Sequence, residues 1–156
     1  MIIRKFKRKD TAQIADVIKS TFMKYNGSEG SKVSVKKYIA RYAPDKLSEL
    51  ENRLEKDKIV LVVIDGKRIV GVVRGNEHRV FQLFVDKDYH GQGLGKKLMD
   101  SFETEVRGKG TKVIQLRSSL YAINFYEHRG YKKTTGLRTS HQFGDIRYQP
   151  MKKELA

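Results

Sequence analysis

The sequence contains no cysteine, and its acidic residues are few beside its basic ones. Without cysteine the chain can form neither a disulfide nor a thiolate-bound metal site, so its fold must rest on packing. Its four histidines, at positions 78, 90, 128 and 141, lack the spacing of metal ligands. No stretch resembles a signal peptide or the roughly 20 apolar residues of a membrane span. We therefore expect a soluble, cytoplasmic protein that binds neither a metal nor a membrane.

Basic side chains dominate the charge. The chain has 33 Lys and Arg against 18 Asp and Glu, a formal net charge of +15 over 156 residues. Such a charge attracts polyanions, which include phosphorylated cofactors, nucleic acid, anionic lipid and acidic proteins. The basic residues are scattered from Arg4 to Lys153 and form no block, which favours general basicity over a dedicated nucleic-acid surface. The length suits one domain with a substantial core.

A strand, a turn and a helix are predicted between Arg79 and Val106. Arg79–Val85 is an apolar and aromatic run of high strand propensity. Three glycines follow at alternate positions, and glycines at a helix start leave main-chain N–H groups free and let an anion approach. Apolar residues then recur at every fourth position along one helical face: Leu94, Leu98, Phe102 and Val106. With the helix dipole and the first-turn Lys96 and Lys97, the segment predicts a phosphate site rather than an ordinary glycine-rich loop.

Two common phosphate-binding motifs do not fit this loop. A nucleoside triphosphate loop requires glycine where His90 stands and Ser or Thr where Lys97 stands. A dinucleotide fingerprint requires glycine at the position of Leu98. The segment instead resembles motif A of the GNAT acetyltransferases, in which a strand ending L-x-V leads to [RQ]-x-x-G-x-[GA] at a helix start. Leu83 and Val85 match the strand, and His90 takes the place of the usual Arg or Gln.

A second segment, SSLYAINFYEHRGY from Ser118 to Tyr131, resembles motif B of the same family. The family pattern is Asn-x-x-A-x-x-F-Y-x-x-x-G-[FY]. Ser119 replaces the usual Asn, and the remaining positions match at Ala122, Phe125, Tyr126, Gly130 and Tyr131. The two motifs occur in order with a strand between them, so together they are strong evidence for the family.

The resemblance implies a coenzyme A site. In the family, main-chain groups at the end of the motif strand, here Leu83, Phe84 and Val85, bind the pantetheine arm and polarise the acetyl carbonyl. The loop's N–H groups bind the pyrophosphate, here at His90, Gly91, Gln92, Gly93, Leu94, Gly95 and Lys96. Ser119 is expected to hydrogen-bond the pantetheine arm. Asn124 is a further candidate to face the cofactor, with a solvated helix position as the alternative.

Tyr126 is the predicted catalytic residue. A phenol has an unperturbed pKa near that of an alkyl thiol, so it can protonate a departing thiolate. The alternative is that Tyr126 only packs its helix on the sheet. No general base is assigned, because the motif strand carries Gln82 where the family often has Glu. Glu77, His78 and Glu29 are candidates that act through a water, each of which could instead be a solvated surface group.

The rest of the chain completes an α/β (α+β) single domain, with a mixed, mostly antiparallel sheet of six to seven strands flanked by helices. Asp10 and Gln13 are expected to form a capping box at the first helix. The predicted elements outside the motif segment are a strand at Ile2–Lys7, helices between Asp10 and Leu54, a hairpin at Ile59–Val73, a strand at Val113–Arg117, a helix at Leu120–Arg129, and strands at Tyr131–Thr135 and Asp145–Lys152.

The function implied is that of an acetyl-CoA-dependent N-acetyltransferase, in which a primary amine attacks the thioester directly within a ternary complex. The acceptor is an unidentified small molecule or protein. In the family its site is shaped by the first helices, here about Phe22–Tyr42, where Tyr25, Tyr38 and Tyr42 could line it. A monomer or a homodimer is expected. The competing hypothesis is a non-catalytic module that binds acyl-CoA or nucleic acid.

Overall fold

The structure, a computed structural model, describes residues 1–156. It contains eight strands and five helices, joined in part by single 3-10 turns. The strands are β1 (Ile2–Lys5), β2 (Ile59–Asp65), β3 (Arg68–Gly75), β4 (Arg79–Val85), β5 (Val113–Ser118), β6 (Lys132–Lys133), β7 (Arg138–Thr139) and β8 (Arg147–Glu154). The helices are α1 (Thr11–Asn26), α2 (Lys32–Ala40), α3 (Leu47–Lys56), α4 (Leu94–Gly108) and α5 (Ile123–His128).

All eight strands belong to one sheet. Its order is β1-β2-β3-β4-β5-β8-β6, and β7 pairs with β8 beside this path. Only the β4–β5 pair is parallel. The predicted fold class is therefore confirmed. The count exceeds six to seven because Arg138–Thr139, expected to be a polar loop, adds a two-residue strand to β8.

The sheet lies between two layers of helices. On one face, α4 and α5 bury the helical stripe predicted from the sequence, with Leu94, Leu98, Phe102 and Val106 all in the larger core. On the other face, α1 and α3 pack over β2 and β3. β2 alternates between these two cores, which is why its sequence is a continuous apolar run.

A buried carboxylate joins α4 to the end of the chain. Glu103 accepts hydrogen bonds from Lys153 Nζ (2.7 Å), Arg129 (3.0 Å) and the Tyr131 hydroxyl (3.0 Å). Burial alone would raise the pKa of Glu103, but Lys153 and Arg129 outweigh that effect and lower it. The ionised acid therefore stabilises the packing of α4 and α5 against β8.

The predicted capping box at α1 is wrong. Asp10 has helical backbone angles and no capping bond of its own to α1. Its carboxylate instead accepts two hydrogen bonds from the Arg4 guanidinium (2.7 and 2.9 Å) and one from the Lys7 N–H (2.8 Å). Gln13 accepts a hydrogen bond from the Ile69 N–H at 2.9 Å and so links α1 to β3. None of the helices is both long and apolar enough to cross a membrane.

Candidate active site

A gap opens inside the sheet between β4 and β5. The two strands pair only at Arg79 with Gln115 and at Val80 with Leu116. On the other side of β4, Gly75 pairs with Val80 and Arg74 with Gln82, so Phe81 is an extra residue in a bulge. Beyond this bulge, β4 and β5 share no further pairs, and the end of β4 leaves part of its main chain free.

The free main-chain groups are those of Leu83 and the N–H of Val85. Asp86 donates its N–H to Val70 O at 2.8 Å, so the main chain of Asp86 faces β3. Because neighbouring residues of a strand point these groups to opposite sides, Phe84 also faces β3, whereas Leu83 and Val85 face the gap. Phe84 was expected to offer main-chain groups to the cofactor, but its main chain faces Val72 of β3 instead. Its contribution to the cavity is its side chain.

His90 fastens the end of β4 to the glycine loop. Its Nε2 lies 2.7 Å from Val85 O, and because a carbonyl only accepts, Nε2 must carry the proton. The Thr21 hydroxyl donates to the same oxygen at 3.2 Å. The imidazole also stacks on Tyr25, with ring centroids 4.5 Å apart. The His90 side chain is thus committed to holding the strand end, and what it offers an anion is its main chain.

The loop before α4 presents six consecutive main-chain N–H groups, those of Gly91–Lys96. None of them donates to another main-chain group, and the first bond of the helix runs from Lys97 N–H to Gly93 O at 3.1 Å. Gly91 and Gly93 have φ of +80° and +75°, a conformation that residues with a Cβ rarely adopt. The first turn of α4 contains no acid. This end of the helix is therefore a strongly positive, open cradle.

The other loop residues have distinct surroundings. Leu94 is buried in the core, and Gln92 is exposed and lies outside the cavity wall, so each offers the cradle only its main chain. A Cβ on Gly95 would lie 3.4 Å from the Phe125 ring, which shows how closely α4 packs on α5. Lys96 lines the cavity, and its ammonium forms an exposed pair with Asp100 at 2.9 Å.

Tyr126 lies on the wall of the same cavity, which measures about 750 Å³. The residue is 6% exposed and packs edge-on between Phe125 and Tyr131, at centroid distances of 5.1 and 5.5 Å. None of the hydrogen bonds of the structure involves its hydroxyl. Burial raises the pKa of Tyr126 far above that of a free phenol, so the hydroxyl keeps its proton. It is a fixed proton donor available to a ligand.

Ser119 and Asn124 have different positions relative to this cavity. Ser119 lines it, and its hydroxyl accepts the Ala122 N–H at 3.3 Å at the start of α5. Asn124 is exposed on α5 and is not part of the wall, and its carbonyl oxygen lies 2.7 Å from Nδ1 of His128. The structure therefore favours the solvated alternative for Asn124.

The candidate general bases differ in their positions relative to the cavity. Glu77 and His78 precede β4, at the end opposite the gap, and neither lines the cavity, so the structure favours the surface alternative for both. Gln82 lines the cavity and donates to the hydroxyls of Tyr38 and Tyr42, each at 2.7 Å. Glu29 also lines it but is only 5% exposed. Its carboxylate accepts three hydrogen bonds, from the Asn26 amide (2.8 Å) and the N–H groups of Leu120 (2.8 Å) and Tyr121 (3.2 Å).

The far wall of the cavity combines α1 and α2 with the segment before β8. Phe22, Tyr25 and Tyr38 line it as expected, whereas Tyr42 is buried outside the wall and contacts it through Gln82 and Tyr38. The sequence interpretation missed the contribution of the polar segment between β7 and β8. Its members on the wall are Ser140, Gln142, Phe143 and Ile146. Its two isolated apolar residues, Phe143 and Ile146, were the only signal in the sequence that this segment packs against the rest of the protein.

Comparison with known proteins agrees with this geometry. The family model described as "Acetyltransferase (GNAT) domain" matches residues 26–155. The fold is similar to a GCN5-related N-acetyltransferase from Rhodopseudomonas palustris, with a TM-score of 0.87 and 20% identity over 99% of this chain and 95% of the other. The PaiA N-acetyltransferase of Thermoplasma acidophilum, solved with coenzyme A, gives a TM-score of 0.76 and 18% identity over 99% and 98% of the chains.

A third similar structure is an aminoglycoside 6'-acetyltransferase type Ii, with a TM-score of 0.71 and 22% identity over 99% of this chain and 97% of the other. No curated protein sequence matches this chain. The family model covers most of the chain, and the chain therefore belongs to the GNAT acetyltransferase family. It is an acyltransferase of the N-acetyltransferase type.

Proposed function

We propose that the protein transfers the acetyl group of acetyl-CoA to a primary amine, by direct attack of the amine within a ternary complex. The observation that carries the proposal is the run of six free N–H groups at the start of α4, beside the gap between β4 and β5. A pyrophosphate fits the free N–H groups, and an extended arm that contains amides fits the gap between the strands. The similar PaiA enzyme was solved with coenzyme A, which supports the same assignment of the donor.

The residues present fit coenzyme A. Gly91–Lys96 would hold the pyrophosphate through main-chain N–H groups, and a Cβ added at Gly91 or Gly93 would project from a strained backbone. The main chain of Leu83 and the N–H of Val85 would pair with the amides of the pantetheine arm, and Ser119 lies on the same wall. When bound, acetyl-CoA supplies an activated acyl group as its thioester.

Main-chain N–H groups of β4 would stabilise the negative charge that develops on the thioester oxygen during attack. Tyr126 would then donate its proton to the departing thiolate. Burial raises the pKa of the phenol, and the same apolar surroundings raise the proton affinity of a thiolate, so donor and acceptor remain matched. Tyr126 acts in its neutral form, and its raised pKa keeps that form present through the alkaline range.

The amine is proposed to enter in its neutral form, without an enzyme base. Glu29 is the sole carboxylate among the lining residues, and its oxygens already accept three hydrogen bonds. Gln82 cannot accept a proton, although its amide belongs to the network that positions Tyr38. We further propose that the protein is cytoplasmic and that it is a monomer or a homodimer.

The test compares Tyr126→Phe with wild type in amine-dependent release of free thiol from acetyl-CoA. We expect kcat to fall by about 100-fold or more, the usual contribution of a positioned general acid, while acetyl-CoA affinity is unchanged. Tyr121→Phe is the matched control, because Tyr121 also lines the cavity but is exposed and should have little effect. Equal turnover in the two variants would remove Tyr126 from the mechanism. Failure of the wild type to bind acetyl-CoA would refute the function itself.

A further inference from the structure

Two arginines on the cavity wall, Arg117 and Arg147, have no carboxylate partner. Neither forms a side-chain hydrogen bond or an ion pair. Elsewhere in the protein, six arginines do pair with an acid: Arg4, Arg8, Arg68, Arg74, Arg107 and Arg129. Unpaired guanidinium groups at a cavity are ready to bind an anion, which they hold through charge-assisted, often bidentate, hydrogen bonds.

Arg117 stands on the opposite side of the sheet from α4. Side chains of β5 alternate, and Ile114 and Leu116 lie in the core that α4 buries. Arg117 therefore points to the other face, where its guanidinium lies 5.0 Å from the centre of the Tyr148 ring. That contact orients the side chain without neutralising its charge. A site for an anion at Arg117 would thus be separate from the free N–H groups at the α4 terminus.

The cavity offers little accessible negative charge. Its one carboxylate, Glu29, is buried and fully engaged by Asn26 and two main-chain N–H groups. An acceptor with several ammonium groups would find only this one buried carboxylate and would face the basic field of a protein with a net charge of +15. The cavity is therefore poorly suited to polyamines and aminoglycosides.

Aromatic rings also line the cavity. Phe22 stacks on Tyr38 at a centroid distance of 4.0 Å, and Phe143 packs edge-on against Tyr38 at 4.9 Å. All three rings line the cavity. Such rings stack well on flat apolar groups. At about 750 Å³, a cavity that must also admit the pantetheine arm leaves room for a small acceptor.

We propose that the acceptor is a small primary amine that also carries a carboxylate and an aromatic or other apolar group, and that Arg117 binds the carboxylate while Arg147 adds positive charge. This proposal rests on the acetyltransferase function proposed above. The reaction forms a C–N bond to the acetyl carbon and breaks the C–S bond. The amine loses one proton to water, the thiolate gains one from Tyr126, and Tyr126 then regains a proton from water, so the products are an N-acetyl amino acid and free coenzyme A.

The experiment measures thiol release with three aromatic amino acids that differ in the distance between amine and carboxylate: phenylalanine, 3-amino-3-phenylpropanoate and 4-(aminomethyl)benzoate. Each is compared with its carboxamide, and spermidine and kanamycin represent polycations. We expect kcat/KM for at least one acid to exceed that of its amide by about tenfold or more, as a charge-assisted pair allows. Both polycations should be poorer still.

Arg117→Gln should lower kcat/KM for the preferred acid by about 10- to 100-fold and leave its amide unchanged. Arg138→Gln is the matched control. It removes the same charge from neighbouring β7, outside the cavity wall, and should change kcat/KM less than about threefold. Acetyl-CoA affinity, measured by calorimetry on both variants, checks that the donor site and the fold are intact.

The outcomes separate the two proposals. Preference for amides or polycations, or equal effects of the Arg117 and Arg138 substitutions, would overturn the acceptor assignment while the acetyltransferase function stands. Loss of acetyl-CoA affinity in Arg117→Gln would assign this arginine to the donor instead. Acetylation of peptide amino termini in preference to every small acid would also overturn it. Absence of acetyl-CoA binding by the wild type would remove the proposed function, and the acceptor proposal with it.

Discussion

The phosphate cradle can be tested by placing a negative charge at its centre. Gly93 is the residue before α4, its φ is +75°, and the free N–H groups extend on both sides of it. We expect Gly93→Asp to bind acetyl-CoA far more weakly than Gly93→Asn. The two side chains have nearly the same shape, and both tolerate left-handed backbone angles better than other residues, so their difference isolates the charge.

The magnitude follows from Coulomb's law. A carboxylate at position 93 would lie on the order of 5 Å from a pyrophosphate charge held by the neighbouring N–H groups. At an effective dielectric constant near 20 this costs about 3 kcal/mol, or more than 100-fold in affinity. The backbone strain, about 1–2 kcal/mol, is common to both variants. The free energy of unfolding should be higher for Gly93→Asp than for Gly93→Asn, because an acid at a helix N-terminus is favourable by about 0.3–1 kcal/mol.

Calorimetric titration with acetyl-CoA and thermal unfolding, both at low salt, give the two quantities needed. We expect Gly93→Asp to lose its affinity for acetyl-CoA and Gly93→Asn to lose only a modest part of it. The melting temperature of Gly93→Asp should be no lower than that of Gly93→Asn. Affinities of the two variants within threefold of each other would refute the assignment of the phosphates to this helix end. A loss of stability in Asp alone would mean that the affinity change reports on folding instead.

The remaining predictions concern stability. Glu103→Gln should lower the free energy of unfolding by about 3 kcal/mol, because the partly buried Arg129 and Lys153 lose their buried counter-charge. The exposed Asp100→Asn should cost less than about 1 kcal/mol; urea titration measures both. Since the pKa of Glu103 is lowered, this stabilisation should be present above about pH 4.5 and disappear as the pH falls below it. Gly75→Ala should destabilise by about 2 kcal/mol, because the new Cβ would overlap the Arg79 carbonyl oxygen. Gly108→Ala, with no atom within 4 Å of its Cβ and ordinary backbone angles, should instead stabilise slightly; equal effects of the two would contradict the packing.

Local patterns in the sequence predicted most of the fold. The four-residue spacing from Leu94 to Val106 identified a buried helix face, and the apolar run of β2 identified a central strand. Both are properties of neighbouring residues, which periodicity reports directly. The Gly91–Gly95 spacing likewise predicted a helix start with open N–H groups, and the geometry of that loop agrees.

Contacts between distant parts of the chain could not be predicted in this way. Glu29 was proposed as a base, but its hydrogen-bond partners at Leu120 and Tyr121 lie more than 90 positions away, so nothing local signals its engagement. Arg117 looked like one of many scattered cations. Its place on the cavity wall depends on β5 lying next to β8, a pairing of strands 31 or more positions apart.

The interrupted pairing of β4 and β5 has a consequence for the lifetime of the protein. The sheet is in effect two half-sheets, β1 to β4 and β5 to β8, joined by two residue pairs. An arm bound in the gap would complete the missing hydrogen bonds and act as a transient strand, stabilising the junction in proportion to the logarithm of its concentration. Fewer residue pairs join the halves at this seam than join β2 to β3, β3 to β4 or β5 to β8, and proteases reach chains through local openings. Turnover of this protein in the cell would then follow the supply of its own donor substrate.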